Sequence, residues 1–286
     1  MENRNSAVFI LTNGRPDRVY TIQTLLNQGY TGKYYLIIDN LDKTADRYKE
    51  LYGDKVVVFD KEDIARRYDT GDNFNDMRAI FYARNASFEI AKKLGIEYFI
   101  QLDDDYLDFS FRFNSKKQFQ HHTIKNLDRV FEYMFQLYDT SGALTIAMAQ
   151  GGDYVGGGDG FGKDIRIKRK AMNSFFCSTK RPFQFYGRIN EDVNTYTLLG
   201  LKGELIFTPN IVALNQVTTQ ANPGGMAEMY LDNGTFLKSF YSVMYAPSCV
   251  KISQMGNKYK RIHHKVLWNN CTPKIISCEK KKNGLS

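Results

Sequence analysis

No run of apolar residues in this chain approaches the roughly 20 that a helix needs to cross a bilayer. The first residues, MENRNSAVFILTNGRPDR, hold too short an apolar stretch to span, and they lack the basic leader and small-residue cleavage site of a secretory signal. No transmembrane segment is expected, and the cytoplasm is the expected compartment. Cysteine is scarce as well. Cys177, Cys249, Cys271 and Cys278 form no CxxC pair and no dense framework, so reduced thiols are the simplest reading, ahead of a disulfide scaffold or a zinc site. The GxxxxGK[ST] phosphate cradle is also missing. The glycine-rich QGGDYVGGGDGFG at residues 150–162 has another spacing and carries acids, and it reads as a linker or a loop over an acceptor pocket.

Acid is almost absent from one end. From Lys251 onward nine Lys or Arg face a single acid, Glu279, so the whole net charge of +8 lies there and the rest of the chain is neutral. A second basic block, GKDIRIKRKAMNSFFCSTKRPFQFYGR at residues 162–188, sets eight Lys and Arg among aromatic residues with one acid, Asp164. Cations displace counterions from phosphates and aromatic faces stack on bases, so the two blocks together favour a polyanionic partner. A solvated face with a frayed basic end is the alternative.

What the chain does have is 43% hydrophobic and 14% aromatic residues, enough to bury a sizeable core. AVFILTN, YYLIID and KVVVFD are short runs rich in β-branched and aromatic residues, as buried parallel strands should be. RVYTIQTLLNQG and KTADRYKELYG lie between them, each helix-compatible and each ending at a glycine. NDMRAIFYARNASFEIAKKLG then places Ile80, Ala83, Ser87, Ile90 and Leu94 on one helical face, and IEYFIQL follows as the next strand. The order β-α-β-α-β-α-β predicts an α/β class with a mainly parallel sheet flanked by helices.

That order gives a setting to YFIQLDDDYLD, residues 98–108. Three adjacent carboxylates raise one another's pKa unless water or a cation relieves them. In open α/β sheets ligands gather beyond the carboxyl ends of the strands, which is where Asp103, Asp104 and Asp105 fall and where Asp39 closes the second strand. Carboxylates grouped there suit Mg²⁺ or Mn²⁺, which bridges a carboxylate to the phosphates of a nucleotide. An acidic surface loop is the bland alternative.

FILTNGRP, IIDN, ARNASFEIAKKLGIEYFIQLDDD and GRINED, taken in that order, resemble the GT-A glycosyltransferases, whose nucleotide-sugar-binding fold carries a DxD motif and a later ED motif. The LDDDY context and the basic character also resemble the phage TET-associated glycosyltransferases, which modify hydroxymethylated pyrimidines in DNA. The resemblance implies a GT-A-like fold with a nucleotide-sugar-binding half at residues 1–109 and an acceptor-binding half at 110–286, ending in the basic tail. It implies that Asp105 ligates the metal, that Asp103 contacts the donor ribose or the metal's water shell, and that Asp104 stands between them. Thr12, Asn13, Arg15 and Asp39 would surround the base and ribose of the donor, with Arg84 and Asn85 close by. Asp192 would be the base that takes the acceptor's proton, with Glu191 as its substitute, in a single displacement with inversion. A pair of acids that merely favours a helix N-terminus is the competing reading. A C-terminal histidine completes the metal shell in many such enzymes, which points to His264 rather than His263. Lys168, Arg169, Lys170 and Arg188 would meet DNA, in a phage-infected bacterial cell. Transfer to a saccharide, lipid-linked glycan or protein remains the alternative, as does a binding protein with idle acids.

Overall fold

The computed structural model describes residues 4–154, 164–217, 234, 236–256 and 260–271. Lys163, Lys258, Cys278, most of the glycine-rich loop and the end of the basic tail lie outside them. The first part of the chain runs β1 (Ser6–Leu11), α1 (Tyr20–Asn27), β2 (Lys33–Asp39), α2 (Ala45–Tyr52), β3 (Val56–Phe59), α3 (Lys61–Arg67), α4 (Phe81–Lys93) and β4 (Tyr98–Asp103). The second part runs β5 (Tyr106–Phe113), β6 (Phe119–Thr123), α5 (Leu127–Ser141), β7 (Thr145–Ile146), β8 (Ile167–Lys168), β9 (Phe175–Ser178), α6 (Glu191–Leu201), β10 (Ile206–Pro209) and β11 (Val212–Gln216). It ends with α7 (Leu237–Tyr245), β12 (Val250–Met255), β13 (Arg261–Val266) and α8 (Trp268–Cys271).

Eight strands form the central sheet in the order β3-β2-β1-β4-β9-β7-β10-β8. The first four are mutually parallel, and β9 then joins β4 antiparallel. The α/β class with a mainly parallel sheet is therefore what the chain adopts. All six residues of β1 are buried because both faces of the sheet are covered, which is why the strand reads as an unbroken apolar run. Val8 and Ile10 face one core cluster with α5, while Ala7, Phe9 and Leu11 face another with α4, the two-residue alternation of a strand between two layers. Leu11 pairs with both Ile37 and Asp103, so the loops after β1, β2 and β4 emerge at one edge.

Three features depart from the sequence-based picture. Helix α4 is buried over most of its circumference, with Phe81, Tyr82, Arg84, Asn85 and Phe88 inside as well as Ser87 and Ile90, whereas Leu94 is 39% exposed. It lies between the sheet and the segment around Phe183 and Phe185, so one apolar face is too narrow a description. Helix α3 was not anticipated; Asp60 caps it by accepting a hydrogen bond from the Asp63 amide. A three-stranded sheet, β11-β5-β6, and a two-stranded ribbon, β12-β13, complete the fold. Residue 109 falls inside β5, and Phe109 shares a core cluster with Val8 and Leu214, so the two halves are one packed body. Cys177, Cys249 and Cys271 are buried free thiols. Among the described residues no helix is long and apolar enough to cross a membrane.

Candidate active site

Asp104 and Asp105 form the tight connection between β4 and β5. The start of α1 clamps it: Thr21 Oγ1 donates to the Asp103 carbonyl at 2.6 Å and accepts from the Tyr106 amide at 3.0 Å, and the Thr21 amide donates to the Asp104 carbonyl at 3.2 Å. The three carboxylates are thereby fixed at the ligand edge and each has a different environment.

Asp104 is fully buried. It accepts from Thr12 Oγ1 at 2.6 Å and pairs with Arg15 Nη2 at 2.9 Å. Because the single Thr12 hydroxyl proton goes to Asp104, Tyr48 must donate to Thr12 Oγ1 (2.7 Å), and it accepts from the Arg15 amide at 3.0 Å. Asp103 pairs with Arg84 Nη2 at 3.1 Å. Asp105 has no hydrogen bond or ion pair to another side chain among the described residues. Burial pushes Asp103 up to about 7, held back by Arg84 and raised further by Asp105 and Glu191. Burial likewise lifts Asp104 to about 6 against Arg15, and Asp105 to about 6, with Asp104 adding to the rise. Three carboxylates thus share Arg15 and, together with Glu191, Arg84 in a desolvated turn, so acids outnumber cations there.

The donor-side residues expected around the base and ribose are brought together at the same edge. Asn13 Nδ2 donates to Asp39 Oδ2 at 2.9 Å, and the buried Lys61 ammonium pairs with the same oxygen at 2.9 Å. A cavity of about 480 Å³ opens beside them, lined by Gly14, Arg15, Arg18, Lys43, Thr44 and Arg47 among others. Gly14 has φ +70°, a backbone that favours glycine, with open space where a Cβ would point.

Of the residues expected around the donor only Arg15 lines this cavity; Thr12, Asn13, Asp39, Arg84 and Asn85 do not. Arg84 is 2% exposed and spans the two acidic motifs: Nη2 reaches Asp103, while Nε donates to Glu191 Oε1 at 2.9 Å. Its guanidinium lies over the Phe175 ring at 4.7 Å, and its Nη1 is buried with no hydrogen-bond partner among the described residues. The Asn85 side chain accepts from the Phe185 amide at 2.9 Å and donates to the Phe185 carbonyl at 3.2 Å, so it fastens α4 to the segment that leads into the ED pair.

Glu191 and Asp192 open helix α6, and their roles separate. Glu191 is held by Arg84, whereas Asp192 has no cationic partner within ion-pair distance among the described residues; its Oδ1 accepts from the Val193 amide at 2.7 Å. Burial, and then Glu191, raise Asp192 to about 7. Asn190, at φ +60°, sets the helix start: its Nδ2 donates to Ser242 Oγ at 2.5 Å, which donates in turn to Asn194 Oδ1 at 2.8 Å. His264 lies on this side of the site, with Nδ1 3.5 Å from Asn190 Nδ2, and burial, His263 and Lys238 lower its pKa to about 4. The described residues contain no group of three His, Cys, Asp or Glu able to hold a metal.

The basic block also departs from expectation. Lys168 Nζ pairs at 3.0 Å with Asp153, which is buried, and Lys170 pairs with the same carboxylate. Arg169 stacks over Phe207 at 5.1 Å, and Arg188, 2% exposed, pairs with Asp72 at 2.7 Å. Arg166, Lys180 and Arg181 pair with Asp164, Glu97 and Asp139. All of these cations except Arg169 pair with the protein's own acids. Residues that sequence reasoning missed include Tyr48, Lys61, Asp153 and Lys238. None stands in a recognisable motif, although KED after a strand ending in Asp is a helix-cap signal that would have located Lys61.

The family description TET-Associated Glycosyltransferase matches residues 6–225, most of the chain. The chain belongs to that family. It is therefore a glycosyltransferase. No curated protein sequence matches it significantly. Among solved structures, the glucosyl-3-phosphoglycerate synthase of Mycobacterium tuberculosis in complex with Mg²⁺ and uridine diphosphate is 12% identical, with 93% of this chain and 88% of that one covered and a TM-score of 0.45. A structure of S. aureus TarS is 11% identical, with 83% of this chain and 65% of that one covered and a TM-score of 0.44.

The raised carboxylates carry a stability consequence in the glycosyltransferase. Unfolded aspartates titrate near 3.9, so between about pH 4 and 7 the folded protein holds more protons than the unfolded chain. Without divalent cation, thermal stability should therefore fall as pH rises through that window. Adding Mg²⁺ or Mn²⁺ at pH 8 should restore it. Melting curves flat with pH and unmoved by the cation would refute this account of the turn.

Proposed function

We propose that this glycosyltransferase moves a sugar from a nucleotide sugar to the hydroxyl of a hydroxymethylated pyrimidine in DNA, aided by a divalent cation, with inversion at the anomeric carbon. The observation that carries the reading is the carboxylate turn, in which acids outnumber cations, set at the ligand edge of the sheet and joined through Arg84 to the ED pair. Asp105, whose oxygens are unspent, and Asp103 would hold Mg²⁺ or Mn²⁺, which when bound neutralises charge on a leaving diphosphate. Asn13, Arg15 and Asp39 bind and orient the nucleoside. Asp192 accepts the proton of the acceptor hydroxyl as its oxygen bonds to the anomeric carbon and the nucleoside diphosphate departs from the opposite side. The family's description supports a DNA acceptor.

Mass spectrometry of hydroxymethylated duplex DNA, after incubation with a panel of nucleotide sugars and Mn²⁺, tests donor and acceptor together. A hexose-sized or similar mass gain on the base is the expected result. Modification of a saccharide alone would overturn the acceptor. Asp105→Asn should raise the cation concentration needed for half-maximal transfer and abolish the cation's effect on melting at pH 8, because a neutral amide is a poor ligand for a hard ion. An unaltered cation requirement would remove Asp105 from that role.

A further inference from the structure

The cations of residues 166–188 are spent on internal partners, yet the protein carries a second set that is not. Between Asp232 and Glu279 the chain has no acidic residue. Within that stretch lies the ribbon β12-β13, in which Lys251, Arg261 and Lys265 are exposed, as is the adjoining Lys260. None of the four has an ion pair or side-chain hydrogen bond among the described residues. The register sharpens this. Lys251 stands directly opposite Lys265, Ser253 opposite His263 and Met255 opposite Arg261, so Lys251, Lys265 and Arg261 emerge on one face. Like charges directly opposite each other in a ladder are destabilising, so an external anion would relieve the arrangement.

The other face is already occupied. It carries Val250, Val266, Ile252 and His264, and Val250 is buried in a cluster with Ala246, Cys249 and Cys271 at the end of α7. On that face His264 lies against Asn190, next to the ED helix. The ribbon thus lies between the candidate active site and solvent, anchored through Val250 and His264 with its cations on the opposite face, while Ile252 and Ile262 of the anchored face stay 41% and 44% exposed.

We propose that the outer face of the β12-β13 ribbon is the surface that grips the DNA acceptor, through phosphate contacts by Lys251, Arg261 and Lys265. This rests on the DNA-acceptor reading above and replaces the 166–188 block as its docking element. A two-stranded ribbon is of a size that the major groove of duplex DNA admits, and its inner face lies beside Asn190, so DNA on the outer face is one strand pair from the ED helix, a gap that an extruded target base would bridge. Phosphate contacts fix position and orientation without reading sequence, which is what a base-modifying enzyme needs before the target base leaves the stack.

The test is the salt dependence of binding of the full chain to hydroxymethylated duplex DNA, read by fluorescence anisotropy. In the variant Lys251→Gln, Arg261→Gln, Lys265→Gln the slope of log affinity against log salt should become shallower by about 2–3, one counterion per lost phosphate contact. The variant should melt no lower than the parent, because a repulsive pair has been removed. Lys180→Gln, which deletes an exposed but paired cation of the other block, should leave the slope as it was. A triple variant with the parental slope overturns the ribbon assignment and leaves DNA as acceptor. A parent that ignores DNA, whether or not it binds vesicles containing phosphatidylserine, overturns the acceptor reading and the ribbon assignment with it.

Discussion

Replacing Asp192 with Asn is expected to slow transfer by about 10²–10⁴-fold, the range for loss of a positioned general base, while donor binding and melting temperature stay near the parental values. The substitution is nearly isosteric and keeps an oxygen for the Val193 amide, so the start of α6 should hold. Glu191 is the poorer substitute, since its Oε1 accepts from Arg84. Removing the Asp192 charge also removes its repulsion with Glu191, so no loss of stability is expected above pH 7. The parent's pH profile follows from the same environment. Burial and Glu191 raise Asp192 to about 7 in the unliganded protein, and only the ionised form accepts a proton, so kcat/KM should rise with pH through about 7 and then level. In Asp192→Asn that acidic limb should vanish from the residual rate. Weakened donor binding in place of slowed transfer would put Asp192 in the donor pocket and send the search for the base elsewhere.

Much of the first hundred residues was legible because each strand there is buried on both faces. An unbroken apolar run such as AVFIL, bounded by Asn and Gly, has few other readings, and the parallel order follows from the helices between the runs. The carboxylate turn was legible for a related reason, since the edge to which its strand delivers it is fixed by topology. Helix α4 was read as amphipathic because a solvent side was assumed. The Phe183–Phe185 segment covers that side, and nothing local in the sequence announces a cover contributed from a hundred residues away. The ribbon β12-β13 was missed because its exposed cations and buried valines give too weak an alternation over six residues.

Charge was the least legible quantity. Composition counts cations, and only the fold decides which acids they meet. Asp153 looked like part of a flexible glycine-rich loop, yet it is the buried counter-charge of Lys168 and Lys170. Arg188 looked like a DNA contact and is 2% exposed against Asp72 and Asp76. The cations of the ribbon are without partners among the described residues, because the chain there has no acid and the fold brings none to pair with them. The same logic separates Glu191 from Asp192, which are adjacent in sequence and equivalent by motif until a buried guanidinium takes one of them.

That guanidinium should be the most consequential single side chain for stability. Replacing Arg84 with Met is expected to destabilise the protein by about 3–5 kcal/mol, because breaking a buried ion pair leaves uncompensated charge behind, here on both Asp103 and Glu191. Met fills much of the volume over Phe175, so the loss is electrostatic more than packing. Arg84→Lys retains the charge but lacks the planar fork, and a point charge cannot donate along both the Nε and Nη2 directions. It should recover part of the stability while the two acidic motifs lose their fixed relation. Denaturant titration measures the first effect, and the cation dependence of transfer in Arg84→Lys measures the second. The decisive comparison adds Glu191→Gln. If Arg84 acts as the bridge, Arg84→Met with Glu191→Gln should be more stable than the two separate losses predict, since the double variant no longer buries an orphaned Glu191. Strict additivity would mean that Arg84 and Glu191 are not coupled, and the bridge between the carboxylate turn and the ED helix would fall with it.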